Sequence, residues 1–205
     1  MHKQESFYRQ AKKESFRARS AYKLFDIQKR FNIFKRAFYI LDLGCAPGSW
    51  LQVAKKFAEE NLIKYKDQFY HRDHYKIMGV DIKKVSPIES IIIIKADLTK
   101  LEIQEQIDSF FKNKLDLILS DASIKKTGNK FTDNIRQIRL CNEILKLVET
   151  NLKYKGNLVI KAFQGSDFDN FTRKMKYMFR FLKSYKPKSS KKKSNEIFLV
   201  GLNKI

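Results

Sequence analysis

The 205-residue chain reads as an α/β protein, a mostly parallel seven-stranded sheet with helices on both faces and an antiparallel last strand. Three observations predict it. Short apolar runs alternate with longer helical patterns along the whole chain, as repeated β–α units do. The first run, Tyr39–Leu43, opens into Gly44-Cys45-Ala46-Pro47-Gly48 and then into a helix start, the order of parts of a nucleotide-binding unit. Five ionisable residues, Asp42, Asp81, Asp97, Asp121 and Lys161, fall at or near expected strand ends, the edge of a parallel sheet where ligands sit.

Met1 to Arg36 is expected to be helical, with Ala21, Leu24, Phe25 and Gln28 at roughly helical spacing. Phe7, Tyr8, Phe16 and Tyr22 interleave with Arg9, Arg17 and Arg19, a mixture that suits RNA because rings stack on bases and cations hold phosphates. The alternative is that Tyr22, Leu24 and Phe25 dock the helix on the core, and opposite faces accommodate both. After the first strand, Ser49 to about Glu60 is a helix and Asn61–Lys76 a polar loop. Ile77–Val80 is a second strand ending in Asp81, an acid placed to hold ribose hydroxyls. Ile91–Ala96 is a third, apolar strand ending in Asp97. Leu101–Phe111 is helical, Leu115–Leu119 is the fourth strand, and Phe131–Leu152 is a long amphipathic helix. Leu158–Ile160 is the fifth strand and runs into Lys161; Phe168–Leu182 is a helix. Ser184–Lys186 and Ile197–Leu202 are expected to form a hairpin-like antiparallel pair, with Lys188–Lys193 a mobile basic loop between them. The whole of 1–205 is one domain, a basic N-terminal extension (1–36) followed by the core (37–205).

The net charge of +21 predicts a polyanionic partner, and its distribution sharpens the point. Residues 1–36 carry eleven Lys and Arg against three acids, and 173–193 carry ten and no acid. Nucleic acid is therefore the expected partner. No apolar run approaches the roughly 20 residues of a membrane span. Cys45 and Cys141 cannot make a disulfide framework and are expected as small buried residues in a reducing compartment. His71 and His74 lie in a polar stretch, and no metal site is expected.

The glycine loop departs from the dinucleotide fingerprint. Ala46 and Pro47 occupy it, and the acid Asp42 precedes its first glycine. Gly44 and Gly48 allow a sharp turn and close approach, and the helix that follows offers free N–H groups. A carboxylate here suits a ligand with a cationic amino-acid tail better than a pyrophosphate. S-adenosylmethionine (SAM) is such a ligand; a nicotinamide or a purely structural turn are the alternatives. Asp121-Ala122-Ser123 after the fourth strand matches neither the Asp/Asn-Pro-Pro-aromatic turn of base N-methylation nor the Pro-Cys of cytosine-C5 chemistry. Lys161 is unusual in an apolar strand, because burying an unpaired ammonium is costly. Desolvation and a nearby lysine such as Lys23 are expected to lower its pKa and make it a base for a weakly acidic hydroxyl such as a ribose 2′-OH. Asp121 would orient it. A lysine snorkelling to the surface is the alternative.

From Tyr8 to Leu202 the chain resembles the FtsJ/RrmJ ribosomal RNA large-subunit 2′-O-methyltransferases. The stretches that carry the resemblance are YRQAKKESFRARSAYKL (8–24), LDLGCAPGSWLQV (41–53), GVD (79–81), ADL (96–98), LSDAS (119–123), VIKAFQG (159–165) and KPKSSKKKSNEIFLVG (186–201). The resemblance implies a Rossmann-like, SAM-dependent fold and a Lys-Asp-Lys-Glu tetrad falling on Lys23, Asp121, Lys161 and Glu196, with Lys161 as proton acceptor. It also implies that Gly48, Trp50, Asp81, Asp97 and Asp121 line the SAM pocket, beside Gly44, Ala46 and Pro47 of the loop. After the tetrad Asp the family commonly has Ala-Pro-Asn and a Gly-containing stretch; here the loop beside the acceptor is Ala122-Ser123-Ile124-Lys125-Lys126-Thr127-Gly128.

The reading is a monomeric RNA ribose 2′-O-methyltransferase whose expected substrate is a uridine in the A-loop of large-subunit rRNA, presented in a pre-ribosomal particle. The N-terminal helix and Lys186–Lys193 are expected to face the phosphates. A tRNA anticodon-loop enzyme, a non-catalytic RNA-binding assembly factor and a nicotinamide dehydrogenase are the other classes. The expected compartment is mitochondrial in a eukaryote and cytoplasmic otherwise.

Overall fold

A computed structural model describes residues 3–65, 73–100, 102–165, 167–191 and 194–205. The elements run α1 (Lys3–Lys13), α2 (Ala21–Phe31), β1 (Tyr39–Leu43), α3 (Ser49–Lys64), β2 (Lys76–Asp81), β3 (Ile92–Lys95), α4 (Glu102–Phe111) and β4 (Leu115–Ser120), then α5 (Lys130–Asn151), β5 (Leu152–Phe163), α6 (Phe168–Met178), β6 (Phe179–Tyr185) and β7 (Glu196–Lys204). The sheet order is β3-β2-β1-β4-β5-β7-β6. β7 is antiparallel to both neighbours, and the other pairings are parallel. Strand order reverses between β1 and β4, and in such sheets the crevice at that point is where ligands bind.

The central strands β1 and β4 are buried at every residue, which is why they read as unbroken apolar runs rather than alternating ones. Two cores flank the sheet. Ala21, Leu24 and Ile27 of α2 and Leu51, Val53 and Ala54 of α3 fill one side; Ile107 of α4, Ile144 and Val148 of α5 and Met175 of α6 fill the other. α2 ends at Asn32 in the left-handed region (φ 51°), whose N–H donates to the Gln28 carbonyl as a helix-closing cap. Among the described residues, no helix is long and apolar enough to cross a membrane.

Several boundaries differ from the sequence reading, each for a packing reason. The N-terminal region is two helices joined by residues 14–20 rather than one. The stretch read as a polar loop from Asn61 begins as the last turn of α3. The buried Asn61 amide donates to the carbonyls of Phe34 (2.7 Å) and Ala37 (3.0 Å), tying that turn to the chain entering β1. Residues 66–72 of that stretch, which include His71, lie outside the described residues, as does Leu101. β3 is a sheet edge, half-exposed rather than buried, with Ile92 47% exposed. β5 begins directly after α5 at Leu152, with an irregularity where Lys155 takes a positive φ.

The helix expected over Phe168–Leu182 stops at Met178, and Phe179–Leu182 belong to β6. Phe179 is buried, and its ring occupies the space over Gly201, where a Cβ would meet it at 2.7 Å. The exposed Arg180 and Lys183 on this outer strand guard it against edge-to-edge pairing.

Candidate active site

The loop after β1 turns at two glycines with positive φ, Gly44 (+77°) and Gly48 (+106°). A Cβ on Gly44 would stand 2.5 Å from Cα of Ala122, so this glycine also permits the loop after β4 to close in. The Ala46 N–H donates to Asp81 Oδ2 (2.9 Å), and the Lys83 N–H to Asp81 Oδ1 (2.8 Å), fixing the acid at the end of β2. Asp97 accepts from the N–H (3.0 Å) and hydroxyl (2.8 Å) of Thr99, which together hold its carboxyl below the ordinary carboxylate range. These groups border a cleft of about 690 Å³ lined by Gly44, Ala46, Asp81, Asp97 and Asp121, with Ile82 and Leu98 as apolar walls.

Asp42 lies beneath this floor, wholly buried, and neither carboxyl oxygen has a hydrogen-bond partner among the described residues. Burial first, then the carboxylates of Asp121 and Asp81, push its pKa well up. A ligand with a positive centre above the glycine loop would relieve this field, whereas a pyrophosphate would add to it. The donor set therefore fits the cation of SAM. Among the described residues no cluster of His, Cys, Asp and Glu could hold a metal.

Of the eight residues expected to hold the cofactor, Gly44, Ala46, Asp81, Asp97 and Asp121 line the cleft; Pro47, Gly48 and Trp50 do not. Trp50 is buried, with its indole N–H on the Ser20 carbonyl (2.8 Å) and its ring 5.8 Å from that of Phe198.

At the other side of Asp121 the four tetrad residues meet. Lys161, 6% exposed, donates to the Asp121 carbonyl (2.5 Å) and pairs with Asp121 Oδ1 (2.9 Å). Lys23, brought by α2, stands 3.6 Å from the same oxygen and 2.9 Å from Glu196 Oε1. The Ser190 hydroxyl donates to Glu196 Oε1 (2.9 Å). Burial alone would raise the Glu196 carboxyl, but Lys23, Lys161 and Ser190 outweigh it and hold the group below its ordinary range. The antiparallel register places Lys161 opposite Phe198 and Phe163 opposite Glu196, and the Lys23 ammonium rests 5.3 Å from the Phe198 ring. Lys161 is thus a buried lysine with partners rather than a snorkelling one.

The supporting roles of three residues escaped the sequence reading, Arg17 having been expected as a phosphate-holding cation and Ser190 as part of a mobile loop. Gln137 on α5, 1% exposed, donates to the carbonyls of Ala122 (3.0 Å) and Lys161 (3.2 Å) and accepts from the Ile124 N–H (3.2 Å). It clasps the backbone on both sides of the Asp121–Lys161 pair. A polar residue on the apolar face of α5 was the available signal. Beside it the Cys141 thiol, pushed up to about 12 by burial, donates to the Lys161 carbonyl. Arg17 spreads its guanidinium over the carbonyls of Ser86 (2.6 Å), Pro87 (2.8 Å) and Pro47 (3.2 Å), joining the N-terminal segment to the glycine loop and to the loop after β2. Its partners are carbonyls, which no sequence pattern marks. Ser190 is the third; with Ser189 it is buried, so the basic loop expected to be mobile is instead anchored, with the Lys188 N–H also held by Asp26 (2.9 Å). Lys192 and Lys193 lie outside the described residues.

The N-terminal aromatics are corrected in part. Phe7, Phe16, Tyr22 and Phe25 pack on one another, and the Tyr22 hydroxyl donates to Glu14, so these rings are not presented to RNA. Tyr8 is 62% exposed, beside exposed Arg9, Lys12 and Lys13.

Comparison with known proteins shows the family and the fold. The family model described as FtsJ-like methyltransferase matches residues 16–204. The "Ribosomal RNA large subunit methyltransferase E" of Methanobrevibacter smithii is 36% identical over 98% of this chain and 90% of its own length. The protein of that name from Pelagibacter ubique is 36% identical over 97% and 91%. A Plasmodium falciparum crystal structure, titled as a ribosomal RNA methyltransferase, superposes with a TM-score of 0.77 at 29% identity, covering 92% of this chain and 98% of that one.

Proposed function

From its membership of the FtsJ-like methyltransferase family, to which this chain belongs, we propose that it is a SAM-dependent ribose 2′-O-methyltransferase of large-subunit rRNA, acting on a uridine of the A-loop. The observation that carries the chemistry is the Lys23–Asp121–Lys161–Glu196 network at 2.5–3.6 Å, set at the rim of the acidic cleft.

When bound, SAM supplies an already activated methyl group. Asp81 and Asp97 would hold ribose hydroxyls, Ile82 and Leu98 would flank the adenine, and the acidic floor over Asp42 would take the positive end. On the acceptor side Lys161 in its neutral form accepts the 2′-OH proton at Nζ as the oxygen takes the methyl. Asp121 directs that nitrogen through its carboxylate and its carbonyl, and stabilises the ammonium that results. Lys23 pairs with both Asp121 and Glu196, and the proton that Lys161 takes up offsets the second of those two carboxylates. The exposed cations of α1 would engage the phosphates.

The test is transfer of labelled methyl from SAM to large ribosomal subunits, free rRNA and bulk tRNA, with the product digested to locate the label and Lys161→Ala run in parallel. Label on a ribose 2′-oxygen of subunit rRNA, lost in the variant, is the expected result. Label on tRNA would overturn the substrate and keep the mechanism; label on a base would overturn the lysine mechanism. SAM binding without transfer to any RNA would favour an assembly factor.

A further inference from the structure

Beside the cleft lies a second exposed surface, between β4 and α5. Ser123, Ile124 and Lys125 line the cleft beside Asp121, and the chain then runs over its rim to the first turn of α5. In that first turn Phe131 is 64% exposed and has no ring partner among the described residues. Lys125, Lys126 and Lys130 are exposed in the segment that leads to it, and the Lys126 ammonium reaches over the Phe163 ring (4.8 Å), toward the strand position opposite Glu196.

The charge here is uncompensated for a structural reason. Between Ala122 and Asn142 the one acid is Asp133. It is buried and turned inward, accepting from both the N–H and the hydroxyl of Thr127 (2.8 Å each). The same bonds fix the segment, together with the Ile124 N–H on Gln137 and the Thr132 N–H on Asn129 (3.1 Å). A pre-set rim therefore carries three outward cations and one outward ring. A protein partner would need a contiguous apolar patch, whereas a nucleobase needs one flat face and its phosphates need cations.

We infer that Ser123–Phe131 is an RNA-docking rim, on which Phe131 stacks with a base flanking the target nucleotide and Lys125, Lys126 and Lys130 hold the phosphates of that strand. This rests on the RNA methyltransferase reading of the neighbouring site and adds the side from which the strand enters.

The experiment compares wild type, Phe131→Ala, Phe131→Tyr and a Lys125→Gln/Lys126→Gln/Lys130→Gln triple variant. Each is titrated with a short fluorescein-labelled, uridine-rich single-stranded RNA across a salt series, and SAM affinity is measured by calorimetry. Phe131→Ala should bind this RNA about 5- to 150-fold more weakly, the range for losing one base–aromatic stack, with SAM affinity unmoved. Phe131→Tyr should restore binding. The triple variant should flatten the log–log salt slope by roughly 2, at about 0.7 per phosphate contact. RNA affinity equal to wild type in Phe131→Ala, or an unchanged slope in the triple variant, overturns the rim. A wild-type protein that binds RNA through the rim and transfers no methyl overturns the enzymatic reading instead, so the two failures are separable.

Discussion

The two sides of Asp121 differ in how their charges are answered. On the acceptor side each charged group has a partner in the protein: Lys161 with Asp121, Lys23 with Asp121 and Glu196, and Glu196 with Ser190. On the cofactor side, among the described residues, Asp81 and Asp97 accept only backbone and hydroxyl donors and Asp42 is buried with no hydrogen-bond partner. One side is complete in the protein alone; the other carries a negative field that a cationic ligand completes. On the proposed reading, the contrast suits the acceptor side to managing a proton and the cofactor side to recruiting a charge.

The largest effect expected from breaking this contrast is on the completed side. Lys161→Ala removes the proposed proton acceptor and should slow single-turnover methyl transfer by about 10²- to 10⁴-fold, the usual share of a general base, while calorimetry finds SAM still bound. Glu196→Gln should act more gently, lowering transfer by roughly tenfold through the loosened Lys23, and it carries a pH signature. The folded pKa of Glu196 lies below its ordinary value, so its stabilisation is present above the unfolded pKa near 4.5 and is lost as pH falls through the lower folded value. Thermal midpoints of wild type and Glu196→Gln should therefore differ at neutral pH and converge on acidification. A constant gap across that range would mean the network does not hold the carboxylate in its charged form.

Arg17 lets the same contrast be tested from outside the cleft. Arg17→Gln removes a guanidinium that fastens the glycine loop to the N-terminal segment, without touching Asp42, Asp81 or Asp97. Charge-assisted bonds of this kind are worth about 1.5–3 kcal/mol each when buried and less where solvent screens them. SAM affinity is expected to fall by roughly fivefold to thirtyfold, measured by calorimetry, with Arg17→Lys recovering part of it because a point ammonium reaches fewer carbonyls.

How much of this was legible beforehand depended on what each residue contacts. β1 and its loop were plain, because a strand buried on both faces must read Tyr-Ile-Leu-Asp-Leu and the turn needs its glycines. Lys161 and Asp121 stood out as charges ending apolar strands. Glu196 did not; in an ordinary strand it gave no local signal and only the resemblance pointed to it, whereas Lys23 was expected as a neighbour of Lys161 and only its tetrad membership came from the resemblance. Gln137 and Arg17 were hidden because their partners are backbone groups 13 to 70 residues away. The end of α6 was misjudged because Lys176 to Leu182 is as compatible with helix as with strand until Phe179 finds the notch over Gly201.

The smallest effect is also the one whose sign separates the two sides most cleanly. Asp42 has its folded pKa raised, by burial and by the carboxylates of Asp121 and Asp81. Its contribution to stability is therefore fully present below the unfolded pKa near 3.8 and is lost as pH rises through the folded value. At neutral pH without ligand, Asp42→Asn should raise the thermal midpoint by a few degrees, and the gain should shrink to nothing in acid. Saturating SAM should reverse the order, because the wild-type carboxylate then faces a cation and the amide does not, so wild type gains more on binding. If Asp42→Asn were less stable than wild type at neutral pH without ligand, the carboxylate would already be answered within the protein. The cofactor side would then be as complete as the acceptor side.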